Sequence, residues 1–420
     1  MKFFFPDSQD FVDASFNFEI ETRSGTRIRQ RDDLYPHEIL SSPPYDGILV
    51  SKAVVDGHGG GAGKYSSAQR QRFLRVGVRE YFRLQASSLQ TMGDCGAFTY
   101  VKERRPPYSA AEVADFYHDC GFDFGLSVDH IILAYRPTLD DQLPGLESIP
   151  REWKERQELT LELAEQFIAY HRKKELRFTP VGIAQGWSPN SYAYAVTKLQ
   201  ELGYSYIAFG GFVPLKTYEV IACLEKASSV RRPGTSFHLL GITRCENVEL
   251  FKSYGVASFD STAPLRRAFK DDKHNYYSMT STYTAIRVPQ IDANPELLRR
   301  IQAGQVRQEE ARALEKQCLE ALESYDKGYG ALDEVLTHLR EYEKVHDGAT
   351  DRTEIYRRTL ADSPWKSCPC DICKQIGIHV IIFRGAERNR RRGFHNLFVF
   401  YKMLHKELGR PAKVAVSCVR

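Results

Sequence analysis

Between residues 45 and 265, short apolar runs alternate with amphipathic stretches of helical period. The runs are Gly47–Val50, Leu89–Met92, Gly125–Val128, Thr179–Ile183, Tyr206–Phe209, Phe237–Leu240 and Val256–Phe259. Each is too short for a helix and suits a buried strand. The stretches between them are Ser66–Leu84, Ala110–Cys120, Glu152–Arg172, Ser191–Leu202, Tyr218–Lys226 and Cys245–Tyr254, with apolar residues at helical spacing. Strands separated by helices of this length form parallel βαβ units. Seven in this rhythm predict an α/β fold, a (β/α)8 barrel of TIM type, over residues 45–291. The eighth strand is not evident; the region before Pro43, within an N-terminal extension over residues 1–44, is the candidate. Residues 292–345 are rich in Glu, Arg, Leu and Ala without a strand-like run, which predicts two helices in a helical segment over 292–362. A final subdomain over 363–420 ends in an apolar helix from Asn396 to Leu408.

Composition narrows the class. Hydrophobic residues at 42% and aromatics at 12% support a well-filled core, and 27% charged residues are ordinary for a soluble chain. The net charge of +4 is too small by itself to indicate a polyanionic partner. Phe3–Phe5 is interrupted by Pro6, Asp7 and Asp10, so the start lacks the apolar core of a signal peptide. No stretch approaches the roughly 18 apolar residues of a membrane span. The expectation is a cytoplasmic protein with no membrane partner.

Nine cysteines would suggest disulfides, but three of them read Cys368-Pro-Cys370-Asp-Ile-Cys373, with His395 downstream. Soft thiolates with one imidazole make a full tetrahedral ligand set for a structural Zn2+, with no position left open for catalysis. His379 precedes an apolar run, and His405 lies further along the final helix, so His395 is the expected fourth ligand. The remaining cysteines, at 95, 120, 223, 245, 318 and 418, are scattered as in a reducing compartment. The C-terminal unit is therefore expected to be a zinc-binding subdomain, and the reacting groups must lie elsewhere.

In such a barrel, functional groups project from the C-terminal ends of strands. Asp94, Asp129 and Asp260 each directly follow an apolar run, and Gln185-Gly186 and Gly210-Gly211 follow two others. One such acid could simply cap a helix; three in register, beside glycines that admit a flat ligand, point to a site. Gln185 can both donate to and accept from a heterocycle edge. Two carboxylates can share a substitution at a sugar carbon, one attacking while the other manages protons. His58-Gly-Gly-Gly-Ala-Gly63-Lys64-Tyr65 resembles a phosphate loop, but His58 and Tyr65 occupy positions that need Gly and a small hydroxyl. It is read as a glycine-rich loop at the barrel mouth.

This set of residues resembles the queuine/archaeosine tRNA-guanine transglycosylase superfamily from about residue 88 to 405. The likeness rests on Gly93-Asp94-Cys-Gly-Ala-Phe98, Asp129, Gly182-Ile-Ala-Gln185-Gly186, Ala208-Phe-Gly210-Gly211 and Leu240-Gly241-Ile. It continues through Phe259-Asp260-Ser261 and Cys-x-Cys-x-x-Cys with His395-Asn-Leu. The resemblance implies a zinc-containing (β/α)8 barrel that exchanges a guanine in nucleic acid for a 7-deazaguanine. Asp260 would be the nucleophile on C1′, forming a covalent glycosyl intermediate, and Asp94 the general acid/base. Asp129, Gln185 and the Gly210 and Gly211 backbone would hold the base, and no redox or nucleotide cofactor would be needed.

The departures carry information. The family's Asp-Ser-Gly-Gly-Phe-Gln is here Asp94-Cys-Gly-Ala-Phe-Thr99, and His130 stands where an acid is usual. After Gly211 comes Phe212-Val-Pro-Leu-Lys216, without the acid that bacterial tRNA enzymes place near an aminomethyl-bearing base. A neutral nitrile, 7-cyano-7-deazaguanine, is therefore expected. The C-terminal domain of archaeal tRNA enzymes is expected to be absent, and Phe259-Asp-Ser-Thr-Ala-Pro-Leu-Arg266-Arg267 looks most like the DNA-modifying, DpdA-type branch. DNA is the expected partner, with tRNA as the alternative, and partner proteins of a DNA-modification system are expected too. Arg384, Arg388, Arg390, Arg391 and Arg392, with Arg266-Arg267 and Lys102, Arg104 and Arg105, flank the nominated motifs. They are expected to track phosphates with salt-sensitive affinity. A non-catalytic zinc-stabilised nucleic-acid-binding barrel is a further reading, which the three aspartates argue against. An aldolase-like barrel would need a Schiff-base lysine or metal at a strand end, and none stands out.

Overall fold

Eight parallel strands close into a barrel in the computed structural model, which describes residues 1–57, 63–85, 87–140, 149–348 and 350–409. They are β1 (Lys2–Pro6), β2 (Gly47–Ser51), β3 (Gln90–Asp94), β4 (Phe124–Leu126), β5 (Thr179–Ala184), β6 (Tyr206–Phe209), β7 (Ser236–Leu239) and β8 (Val256–Asp260). Each strand pairs with its neighbours in chain order, and β1 closes the ring between β8 and β2. All seven expected strands are present. The eighth is the Phe3–Phe5 run itself, so the barrel begins at the N-terminus, and residues 1–44 are not wholly an extension. In the closing register Phe4 lies opposite both Asp260 and Gly47. Gly47 leaves room for the Phe4 ring, which a Cβ there would approach to 2.5 Å.

Strand side chains alternate between faces, and one parity fills the barrel. Phe4, Leu49, Met92, Leu126, Val181, Ile183 and Ala208 form this buried interior, with Phe124, Tyr206 and Leu240 packed against it. The helices of this unit include Ser67–Tyr81, Ala110–Asp119, Arg151–Lys173, Pro189–Leu202, Thr217–Ser229 and Val248–Ser253. Several start where the sequence supplies an N-cap, as at Ser109, whose hydroxyl accepts from the Glu112 N–H at 3.2 Å.

The described chain divides into two compact units. The first holds Met1–Gln9 and Tyr45–Thr262, with residues from Leu404 onward; the second holds Asp10–Pro44 and Ala263–Met403. This differs from the division at 44, 291 and 362 that composition suggested, because residues 10–44 and 263–291 make their contacts within the second unit. There Ile286–Arg287 pairs in parallel with Ile382–Phe383, and Val12–Asp13 pairs with Asp33–Leu34. Three helices, Pro295–Gln302, Gln308–Asp326 and Leu332–His346, stand where two were expected, followed by Thr353–Asp362. The last helix starts at Gly385, well before Asn396, and runs to Glu407. Among the described residues no helix is long and apolar enough to cross a membrane.

Candidate active site

The interior parity leads straight to the expected site residues. Two positions beyond Met92 on β3 is Asp94, two beyond Ile183 on β5 is Gln185, and two beyond Ala208 on β6 is Gly210. On β8 the same face carries Ser258 and Asp260. Polar groups therefore gather at the C-terminal mouth, where the packed layers end.

Three carboxylates converge there. Asp94 ends β3, and its Oδ2 accepts from the Ser51 hydroxyl of β2 at 2.7 Å. Burial raises its proton affinity above the ordinary carboxylate value, and the negative charge of Asp260 raises it further against the opposing hydrogen bonds. Asp129 is buried three residues past β4. Burial first and the Asp94 charge second push its pKa up to about 7. Asp260 ends β8, is buried, and its Oδ1 accepts from the Gly241 N–H at 3.1 Å. Asp94 thus feels the charge of Asp260, and Asp129 that of Asp94, although the three are far apart in sequence.

Gln185 ties Asp129 to the segment that follows it. Its Nε2 donates to Asp129 Oδ2 at 2.6 Å, and its Oε1 accepts from the Ile132 N–H at 3.1 Å. Gly210 is required beside it, because a Cβ there would lie 2.0 Å from Gln185 Nε2. Gly211 has φ +78°, and a Cβ would lie 2.6 Å from the Ile132 carbonyl oxygen. Cys95, at the serine position of the family motif, donates its thiol to Asp129 Oδ1 at 3.2 Å. His130 points its Nε2 at the Glu103 carbonyl, 2.9 Å away. Phe98, Leu133 and Val213 follow three strand ends and remain exposed.

Other residues at the mouth were not anticipated. His238, on β7 at inward parity, is fully buried with its Nε2 3.2 Å from Asp260 Oδ1. Arg244, three residues past Gly241, donates to the Leu215 carbonyl in the segment after Gly211, while its other terminal nitrogen is buried without a hydrogen-bond partner. Burial lowers its pKa, and no carboxylate pairs with it among the described residues. A histidine inside an apolar run was the available signal for His238. Arg244 sits in an unremarkable polar stretch and gave none.

In the second unit Cys368, Cys370, Cys373 and His395 offer ligand atoms that all lie within 4.8 Å of one another. The His395 Nδ1 is 3.5, 3.4 and 3.3 Å from the three sulfurs. Zn–S and Zn–N bonds of about 2.3 and 2.0 Å at tetrahedral angles require N···S edges of roughly 3.5 Å. His395 Nε2 donates to the Tyr277 carbonyl at 2.8 Å, which fixes the tautomer with Nδ1 toward the sulfurs. Tyr276 stacks on the ring at 4.0 Å, and its hydroxyl lies 3.3 Å from Cys373 Sγ. The cluster fits a zinc-binding site.

The expected phosphate-tracking arginines separate into two groups. Arg391 and Arg392 are buried, which corrects their assignment to a nucleic-acid surface. Arg391 pairs with Glu387 at 2.7 Å and donates to the Asp13 carbonyl at 2.6 Å. Arg392 donates to the Ala268, Val380 and Ile382 carbonyls. Arg384 and Arg388 are buried likewise on Glu21. Within the helix the reason is periodicity: residues 388 and 392 lie four positions apart and share a face with His395 and Asn396, while Arg384 immediately precedes the helix. Arg390 is partly exposed and lies over the Phe11 ring, and Arg266 and Arg267 are exposed. Lys102, Arg104 and Arg105 line a groove of about 550 Å3 opposite Glu152, Glu155, Glu158 and Glu162, so that run does not form a purely positive surface. The glycine-rich loop falls mainly on residues 58–62, outside the described residues.

An eight-stranded barrel with acids at its C-terminal mouth, in a chain that also carries a Cys3His cluster, fits the zinc-containing transglycosylase barrel that the sequence resemblance implies. No family model matches the chain. A curated protein of Salmonella montevideo, named DNA-guanine transglycosylase, is 50% identical over 412 residues, covering 97% of this chain and 97% of that one. The chain belongs to the DNA-guanine transglycosylase family.

Proposed function

We propose that this protein replaces guanine in DNA with a 7-deazaguanine through a covalent Asp260–glycosyl intermediate. The observation that carries the reading is the placement of buried acids at the strand ends, above all Asp94 with its proton affinity raised by burial and by the charge of Asp260. A target nucleotide must leave its stack to enter such a mouth. Asp260 attacks C1′, and the electron pair of the breaking C1′–N9 bond stays on the guanine, which Asp94 protonates. The incoming base then gives its N9 proton to Asp94 and attacks C1′, and Asp260 departs with its bonding pair. Two displacements return the sugar to its original configuration. A raised proton affinity helps Asp94 deliver the proton in the first step, and its conjugate base suits the second.

Asp129, Gln185 and the backbone of Gly210 and Gly211 hold the base in this scheme. The segment after Gly211 bears Lys216, and the unpaired Arg244 reaches its Leu215 carbonyl; both cations disfavour an aminomethyl group. A neutral nitrile, as in 7-cyano-7-deazaguanine, suits this surrounding better. One Zn2+ at Cys368, Cys370, Cys373 and His395 has a structural role. Arg266, Arg267 and Arg390 are the proposed phosphate contacts. The relative's name favours DNA over tRNA.

The test supplies radiolabelled 7-cyano-7-deazaguanine together with DNA or with tRNA. Label entering DNA supports the reading; label entering only tRNA moves the substrate, and no label in either removes the activity. Asp260→Ala should abolish a denaturation-resistant protein–DNA adduct that the parent forms.

A further inference from the structure

We infer that His238 is the positioning residue for Asp260, held in one tautomer by a buried chain through Ser258 and Tyr206. The inference rests on Asp260 being the nucleophile. The three supporting residues come from β6, β7 and β8 and all face the barrel interior. His238 is fully buried, its Nε2 lies 3.2 Å from Asp260 Oδ1, and its Nδ1 lies 2.5 Å from Ser258 Oγ. The Ser258 hydroxyl in turn meets the Tyr206 hydroxyl. Ser258 and Asp260 are two residues apart on one strand, so both reach the same ring.

The directions of these hydrogen bonds follow from the chemistry. A carboxylate oxygen only accepts, so the Nε2 facing it carries hydrogen. In the neutral ring Nδ1 then accepts from the Ser258 hydroxyl, which accepts from the Tyr206 hydroxyl. Burial pushes the Tyr206 pKa up to about 12, so that last donor keeps its proton. The ring is also wedged by Phe4, edge-on with centroids 6.0 Å apart. In this arrangement each facing polar atom of the chain has a complementary partner.

The consequence is asymmetry in the carboxylate. Both donors, the Gly241 N–H and His238 Nε2–H, converge on Oδ1. Oδ2 is therefore the oxygen presented for attack on C1′, and the plane of the carboxylate is set before substrate arrives. When the incoming base displaces Asp260, charge returns to the carboxylate, and the same two donors receive it on Oδ1. Gly241 has φ +75°, a conformation that glycine supplies without strain, which aims its N–H at the acid. Preorganised donors of this kind act on the rate more than on ground-state binding.

The test compares full-length variants, with folding checked by thermal melting. His238→Leu should lower kcat for base exchange by roughly 100-fold while KM for the free base moves less than about twofold. His238→Gln keeps an N–H near the Nε2 position and should recover about tenfold of that loss. Ser258→Ala and Tyr206→Phe, which only release the ring, should cost roughly three- to tenfold. A folded His238→Leu with kcat within about threefold of the parent overturns the inference. So does a His238→Gln no faster than His238→Leu, because the ring would then serve packing alone. An adduct that persists in Asp260→Ala instead overturns the nucleophile assignment beneath it, and the two failures are read separately.

Discussion

Asp129 illustrates how a single residue couples site chemistry to stability. Its pKa of about 7 lies above the ordinary value of an aspartate in the unfolded chain. Between roughly pH 4 and 7 the folded state therefore binds the extra proton, and stability falls as pH rises through that window. Above the folded pKa the penalty is complete, of order a few kcal/mol. Asp129→Asn removes this titration. The variant should melt close to the parent at pH 5 and higher than the parent at pH 8, while losing base affinity at both. Equal melting differences at the two pH values would contradict the assignment. The position of this acid was visible as a residue just past an apolar run. Its raised pKa was not, because that depends on Asp94 and on burial, neither of which is local.

The last helix shows the limit of reading charge from a line of residues. Five arginines between the cysteines and His395 look like a nucleic-acid patch, yet four of them turn inward onto Glu21, Glu387 and backbone carbonyls, three on the helix and Arg384 just ahead of it. Arg392→Ala should therefore destabilise the fold by about 3 kcal/mol or more, since buried carbonyls lose their donor. It should leave the slope of DNA affinity against salt unchanged. Arg266→Ala and Arg267→Ala should do the reverse, each lowering that slope by about one with little change in melting temperature. Filter binding from 50 to 200 mM salt distinguishes the two patterns.

At the scale of the molecule, closure of the barrel depends on its first strand. Phe4 is buried, fills the interior, and joins β8 to β2 in register. Phe4→Ala should cost roughly 3–5 kcal/mol, measured by denaturant unfolding. The metal cluster has the matching part in the second unit, where it links the short helix Asp371–Ile376 to His395 on the last helix. Purified protein should contain about one zinc per chain by elemental analysis. Cys373→Ser should lose the metal and lower the melting temperature by about 10 °C or more, because binding free energy at such sites is folding free energy.

Local pattern alone determined seven strands, the four residues of the Cys3His cluster and the acids at strand ends, because alternation, spacing and motif order are properties of neighbouring residues. Only the tertiary structure decided that Lys2–Pro6 completes the barrel, since its partners lie more than 40 and 250 residues away. The same is true of His238 behind Asp260 and of the inward arginines. A side chain's partners across a barrel, or beneath a helix, are set by which distant segments pack there, and no window of sequence contains both.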